Sequence, residues 1–184
     1  MKKTATAYNI ICILAGLGSL AYLTVRDADH LGLYVAGVVF FSLLGVIAES
    51  QSLAIDEDKA ISIAFAIDIS ALLLFGLTAA AWVSFCTAFF SIMDFGRGRK
   101  EHVFNTPILK SLMNASNYIL SILACGLVYE KLGGRYMVDT NPQGIEASFL
   151  QIAHDLPSIF LGLVVYVLVN TLMISVLEQT FEFG

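Results

Sequence analysis

Long apolar blocks separated by short polar ones dominate the chain. Four of them, at about 8–25, 31–48, 113–130 and 156–177, are each near the ~20 residues with which a helix crosses a bilayer core. A fifth and longer block, 60–93, is broken only by Asp68, Ser70, Gly76 and a few other small or weakly polar residues, so it crosses once or twice. Its first part sets Ile61, Ile63, Phe65, Ile67 and Ile69 against Ser62, Ala64, Ala66, Asp68 and Ser70, which is the period of a strand. Unpaired strand edges cannot face lipid. The pattern therefore predicts an extended approach buried against protein, followed by one helix over about 68–93. The fold class that follows is an all-α polytopic transmembrane helix bundle of five, alternatively six, membrane segments, forming a single domain over residues 1–184.

Composition agrees with that pattern. Hydrophobic residues make up 58% of the chain against 14% charged, and the mean hydropathy of +0.80 lies outside the range of a soluble domain. The basic residues are scattered apart from Arg97, Arg99 and Lys100, which excludes nucleic acid as a partner and leaves the lipid bilayer. Cys12, Cys86 and Cys125 each sit inside an apolar block, and their odd number speaks against a disulfide framework or a metal cage. The opening Met-Lys-Lys is followed by an apolar run with no small-x-small cleavage site, so it reads as a retained helix.

Basic residues also orient the chain, because cytoplasmic loops are enriched in Lys and Arg. Arg97, Arg99, Lys100 and Lys110 mark 94–110 as cytoplasmic. If block 60–93 crosses once, the N-terminus is outside and the ten basic residues divide five to five; if it crosses twice, the N-terminus is inside and they divide seven to three. Charge favours six segments, the strand-like approach favours five, and either count leaves the C-terminus cytoplasmic.

Thr106 and Pro107 form a helix start, a capping hydroxyl followed by a proline at the first helical position. On the helix that follows, Lys110, Asn114, Asn117, Ser121 and Cys125 recur at steps of four, three, four and four and form one polar or small stripe, expected to face the bundle interior. Asn114 and Asn117 share a depth with Asn170 of the last block, so the three amides form a candidate interhelical polar network. Asp68 is the ionisable residue inside an apolar block, a functional-site hypothesis by position. Ser70 beside it, with Cys125 and Tyr129 in the same outer half as His154 and Asp155, completes a candidate ligand site for a small molecule. Lys131 and Arg135 stand nearby in sequence as basic partners for Asp68, and the loop 132–155 as a lid. Glu49 reads as a solvated helix end and 55–59 as a solvated acidic loop.

Catalytic motifs are absent. The chain has no glycine-rich phosphate loop, no pair of histidines at helical spacing and no nucleophile elbow, and nothing calls for a metal or cofactor. The DFG triplet at 94–96 lacks the other parts of a kinase and reads as a basic turn.

Three stretches carry a resemblance: "LLLFGLTAAAWVSF", "LMNASNYILSILACGLVYEKLGG" and "LGLVVYVLVNTLMISVLEQ". With Asn114 and Asn117, Gly126 to Tyr129, Leu132 to Gly134 and Val169 to Leu172, they resemble the N-terminal membrane-embedded sensory region of bacterial signalling proteins that end in HD, HD-GYP or GGDEF domains. That region is itself similar to the substrate-binding components of energy-coupling-factor vitamin transporters. The resemblance implies a multi-pass protein of the bacterial cytoplasmic membrane, a single crossing for block 60–93, and hence five segments. It further implies a non-enzymatic sensory role serving a cytoplasmic effector domain, with a transporter subunit or a homo-oligomeric assembly module as alternatives. The family adds two more helices and an effector where this chain stops at "FEFG", so the chain is expected to be either shortened or a stand-alone version.

Overall fold

The computed structural model describes residues 3–51, 53–56, 59–61, 63–94 and 100–182. Helix α1 (Lys3–Arg26) turns at Asp27 into α2 (Ala28–Ser50). Strands β1 (Leu53–Asp56) and β2 (Lys59–Ile61) form a small antiparallel ladder ahead of α3 (Ala64–Phe75) and α4 (Leu77–Phe90). A second short ladder joins β3 (Met93–Asp94) to β4 (Lys100–Glu101), and then come α5 (Ile108–Lys131), the single turn α6 (Met137–Thr140) and α7 (Gly144–Glu182). Arg97 and Arg99 lie outside the described residues. The architecture is a helix bundle, and four of its helices are long and apolar enough to cross a membrane: 6–26, Ala28–Ser50, Ile108–Lys131 and Gly144–Leu177.

Block 60–93 differs from the sequence expectation in two ways. Among the described residues of the alternation Ile61 pairs as strand, at the end of β2, whereas Ala64 to Ser70 coil into α3. The reason lies in burial: Ala64, Asp68, Ala71 and Leu72 are the residues α3 buries, a helical stripe, and the small residues of the alternation are as apolar as a packed helix needs. Nor does one helix follow. Gly76 breaks the chain with φ 88° and ψ −178°, a region open in practice only to glycine, and α3 and α4 stop and start on either side of it. Asp68, eight residues before Gly76, faces Ser84, eight residues after it. The two helices therefore fold back on each other as a hairpin. At 1.5 Å per residue they are about 18 and 21 Å long, each shorter than the bilayer core.

Helix α5 is the most buried of the long helices, packed between α1, α4 and α7, while α4 packs in turn against α2 and α3. Small residues set the close crossings. A methyl group on Gly16 would meet Ser116, one on Gly45 would collide with Thr87, one on Gly126 would come within 2.5 Å of Leu77 Cδ1, and one on Gly162 within 3.1 Å of Cys125 Sγ. Helices in lipid gain their association from such close packing rather than from expelled water. Helix α5 begins where expected, although Thr106 leaves it uncapped: Pro107 occupies the cap position and the Thr106 hydroxyl turns to Asn105 Oδ1. The predicted stripe faces inward from Asn114 on, with Asn117, Ser121 and Cys125 buried and Asn114 half-buried, whereas Lys110 at its start is exposed and pairs with Glu101.

Two ends of the bundle can be told apart. One gathers the Asp27 turn, the Gly76 turn and the 131–144 segment, tied by Thr78 donating to Asp27 and by Tyr136 lying against Gly76. The other gathers the start of α1 and the later part of α7, where the Tyr8 hydroxyl donates to the Met173 carbonyl at 2.9 Å, and the ends of α2 and α4, where Ile92 N–H donates to Ser50 Oγ at 2.9 Å.

Candidate functional site

Asp68 is fully buried on α3. Tyr166 of α7 donates its hydroxyl to Asp68 Oδ2 at 3.3 Å. Ser84 of α4 faces the carboxyl across the hairpin, yet neither Ser84 Oγ nor Asp68 Oδ1 completes a hydrogen bond of good geometry. A second acid stands within electrostatic reach. Glu49, expected to be solvated at the end of α2, is 2% exposed and accepts a 2.8 Å bond from Tyr118 of α5. The correction has a physical basis, since α2 runs against α4 at Gly45 and carries its last turn into the bundle instead of into water. Asp68 and Glu49 are thus each met by a tyrosine from a different helix.

The other candidates do not converge on Asp68. Ser70 is exposed and bonds back to its own helix at the Ala66 carbonyl, 2.7 Å away. Cys125 is buried against Gly162 of α7. Tyr129 lies near the end of the bundle, its hydroxyl 2.8 Å from both Asp155 Oδ2 and the Arg135 carbonyl. Arg135 reaches Asp155 through its backbone N–H at 3.3 Å, and neither it nor Lys131 pairs with Asp68 among the described residues. The stretch 132–155 is not the loop expected: it holds the turn α6 and, from Gly144, the start of α7. Gln151 of α7 pins it by bridging the Arg135 carbonyl and Thr140 at 2.7 Å each, which leaves no free lid. Asn117 buries its whole amide with neither atom bonded, Asn114 and Asn170 are half-buried, and no hydrogen bond joins the three among the described residues.

A cleft that the sequence did not indicate opens at the hairpin tip, beyond Phe75 and away from Asp68. About 300 Å³ in volume, it lies where the Asp27 turn, the tip of the α3–α4 hairpin, the end of α5 and α6 meet. Tyr34, Phe75 and Tyr136 supply aromatic wall, and Arg26, Asp27, His30, Thr78, Glu130 and Asp139 supply polar groups. Arg26 clamps Asp27 in a bidentate pair, Nε to Oδ1 and Nη2 to Oδ2 at 2.7 Å each, and this guanidinium holds the Asp27 carboxyl below the usual carboxylate range, with the Thr78 hydroxyl adding to the effect. Tyr136 donates to Glu130 at 2.7 Å, and burial together with that bond raises its hydroxyl well above the usual phenol range. The cleft is thus a preorganised polar mouth whose floor is the hairpin tip. Among the described residues no three His, Cys, Asp or Glu side chains stand close enough to hold a metal ion.

No protein-family model matches the chain, and no curated protein or solved structure matches it significantly.

Proposed function

We propose that this chain is a membrane-embedded sensory domain that binds a small molecule in the cleft and passes the binding event to a cytoplasmic effector. The observation that carries the reading is where the cleft sits. Its floor is the tip of a hairpin whose base holds Asp68 and Ser84 in the core, so a ligand pressing on Phe75, Gly76 or Thr78 acts on the most polar part of the interior. Asp27 and Thr78 link the α1–α2 turn to the hairpin, and Tyr136 links the hairpin to α5 through Glu130. The resemblance to bacterial sensory regions supports the same role.

The proposal includes a topology. Although each of its helices is shorter than the bilayer core, the hairpin counts as a pair of passes because Thr78 bonds the Asp27 turn at one end and Ile92 bonds Ser50 at the other, giving six passes with both termini on the cytoplasmic side of a bacterial inner membrane. Its support is charge: six passes divide the ten basic residues seven to three in favour of the cytoplasmic side, where a single crossing of block 60–93 divides them evenly.

Purified protein in lipid nanodiscs tests the ligand reading by thermal unfolding against a library of small polar metabolites. A true ligand should raise the melting temperature of the wild type, and Thr78→Val or Tyr136→Phe should weaken that rise at least tenfold in ligand concentration. A ligand that stabilises both variants as well as the wild type would place binding elsewhere and overturn the assignment of the cleft.

A further inference from the structure

We propose that Asp68 is a proton-binding site in the middle of the membrane domain: its carboxyl is neutral while the α3–α4 hairpin is packed and ionises when the hairpin loosens. The inference does not depend on the cleft holding a ligand. Asp68 is fully buried and has no Lys, Arg or His partner among the described residues. The groups that face it are Ser84 from α4, Glu49 from α2, and the Tyr118 and Tyr166 hydroxyls from α5 and α7. Helix α6 meets α3 at its other end, beside Phe75 and Gly76. No positive charge is in that set.

The hydrogen bonding is also too sparse for an ion. A buried carboxylate draws hydroxyl donors to about 2.5–2.7 Å, whereas Tyr166 stands 3.3 Å from Oδ2 and Oδ1 receives no donor. An ion left in that state forfeits its solvation without replacement, and the nearby Glu49 carboxyl makes the surroundings still less welcoming to a second negative charge. A proton on Asp68 removes the charge. The step balances simply: opening of the hairpin admits water, the carboxyl O–H bond breaks, the proton passes to water and the electron pair stays on the carboxylate. Because the packed state binds one proton more than the loosened state, its stability must fall as pH rises through this ionisation.

Infrared spectroscopy of the whole chain in nanodiscs reads the proton directly. At neutral pH the wild type should show the carbonyl stretch of a protonated carboxylic acid, which Asp68→Asn loses and Glu49→Gln retains. On raising the pH that band should disappear and the melting temperature should fall with it, whereas Asp68→Asn should lack this fall. Should Asp68→Asn fail to fold, heavy-carbon labelling of aspartate carboxyls replaces it: the band must shift on labelling, and must persist in Asp155→Asn, which removes the other aspartate buried among the described residues. A carboxylate stretch in place of the acid band at neutral pH would overturn the proposal, and melting that then rises with sodium would mean that a metal cation occupies the site instead.

Discussion

Asn117 and Tyr118 are neighbours on α5 with opposite prospects on mutation. Neither amide atom of Asn117 is bonded, so Asn117→Leu removes a desolvated polar group without breaking anything, and unfolding in a fixed detergent should show stability equal to the wild type or higher by up to about 1 kcal/mol. Tyr118→Phe takes the 2.8 Å bond from a buried carboxyl and should cost roughly 1–3 kcal/mol in the same assay. A large loss from Asn117→Leu would mean that its amide does bind across helices. At this scale the sequence was informative about direction and poor about partners. The four-three-four spacing put Asn117, Ser121 and Cys125 inside, and an acid amid isoleucines put Asp68 there too. Glu49 was missed because an acid at the end of an apolar block is usually solvated, and its partner lies 69 residues further along the chain. Tyr166 and Ser84 were missed because a tyrosine and a serine within apolar helices give no signal of their own until the fold sets them beside a carboxyl.

Gly76 shapes the element that joins the cleft to the core. Any side chain there must adopt φ 88° with extended ψ, and Tyr136 lies 3.4 Å from where its Cβ would stand, so Gly76→Ala should destabilise by about 1–3 kcal/mol and shift the fluorescence of Trp82, the single tryptophan, which bonds Thr24 of α1 from α4. Wild-type fluorescence unchanged in that variant would argue against a hairpin fixed by this residue. The pair of Asp27 with Arg26 adds a pH dependence of known sign. Its folded carboxyl titrates below the unfolded one, so its contribution is whole above the ordinary carboxylate range and is lost as pH falls through the lowered value. Acid titration of Trp82 fluorescence should show that loss in the wild type and not in Asp27→Asn. The hairpin itself was hard to see in the sequence, since one glycine within some thirty apolar residues is as common in a continuous membrane helix as at a break. The alternation before it misled for a related reason: Ala64 and Ala66 count as the weak half of a strand period, yet they serve equally as the small face of a packed helix.

For the whole molecule, burial of α5 at the centre and the exposure of Leu33, Phe40, Phe160 and Leu168 on α2 and α7 describe a bundle with apolar flanks, the expected surface of a protein solvated by lipid. The class of protein was therefore legible from block length and hydropathy alone, while the number of crossings was not, because it turns on the path of one block. The cleft depends on that path: if α3 and α4 run out and back, the Asp27 turn and the 132–143 segment share a face, and the cleft between them can exist. Accessibility labelling of single cysteines, on a background with the three native cysteines replaced, measures this in cells. His30→Cys and Gln143→Cys, both exposed at the cleft end, should react with a membrane-impermeant thiol reagent from outside, while His102→Cys should react only after the cytoplasm is opened. Labelling of positions 30 and 143 from opposite sides of the membrane would contradict the hairpin, the six crossings and the cleft together.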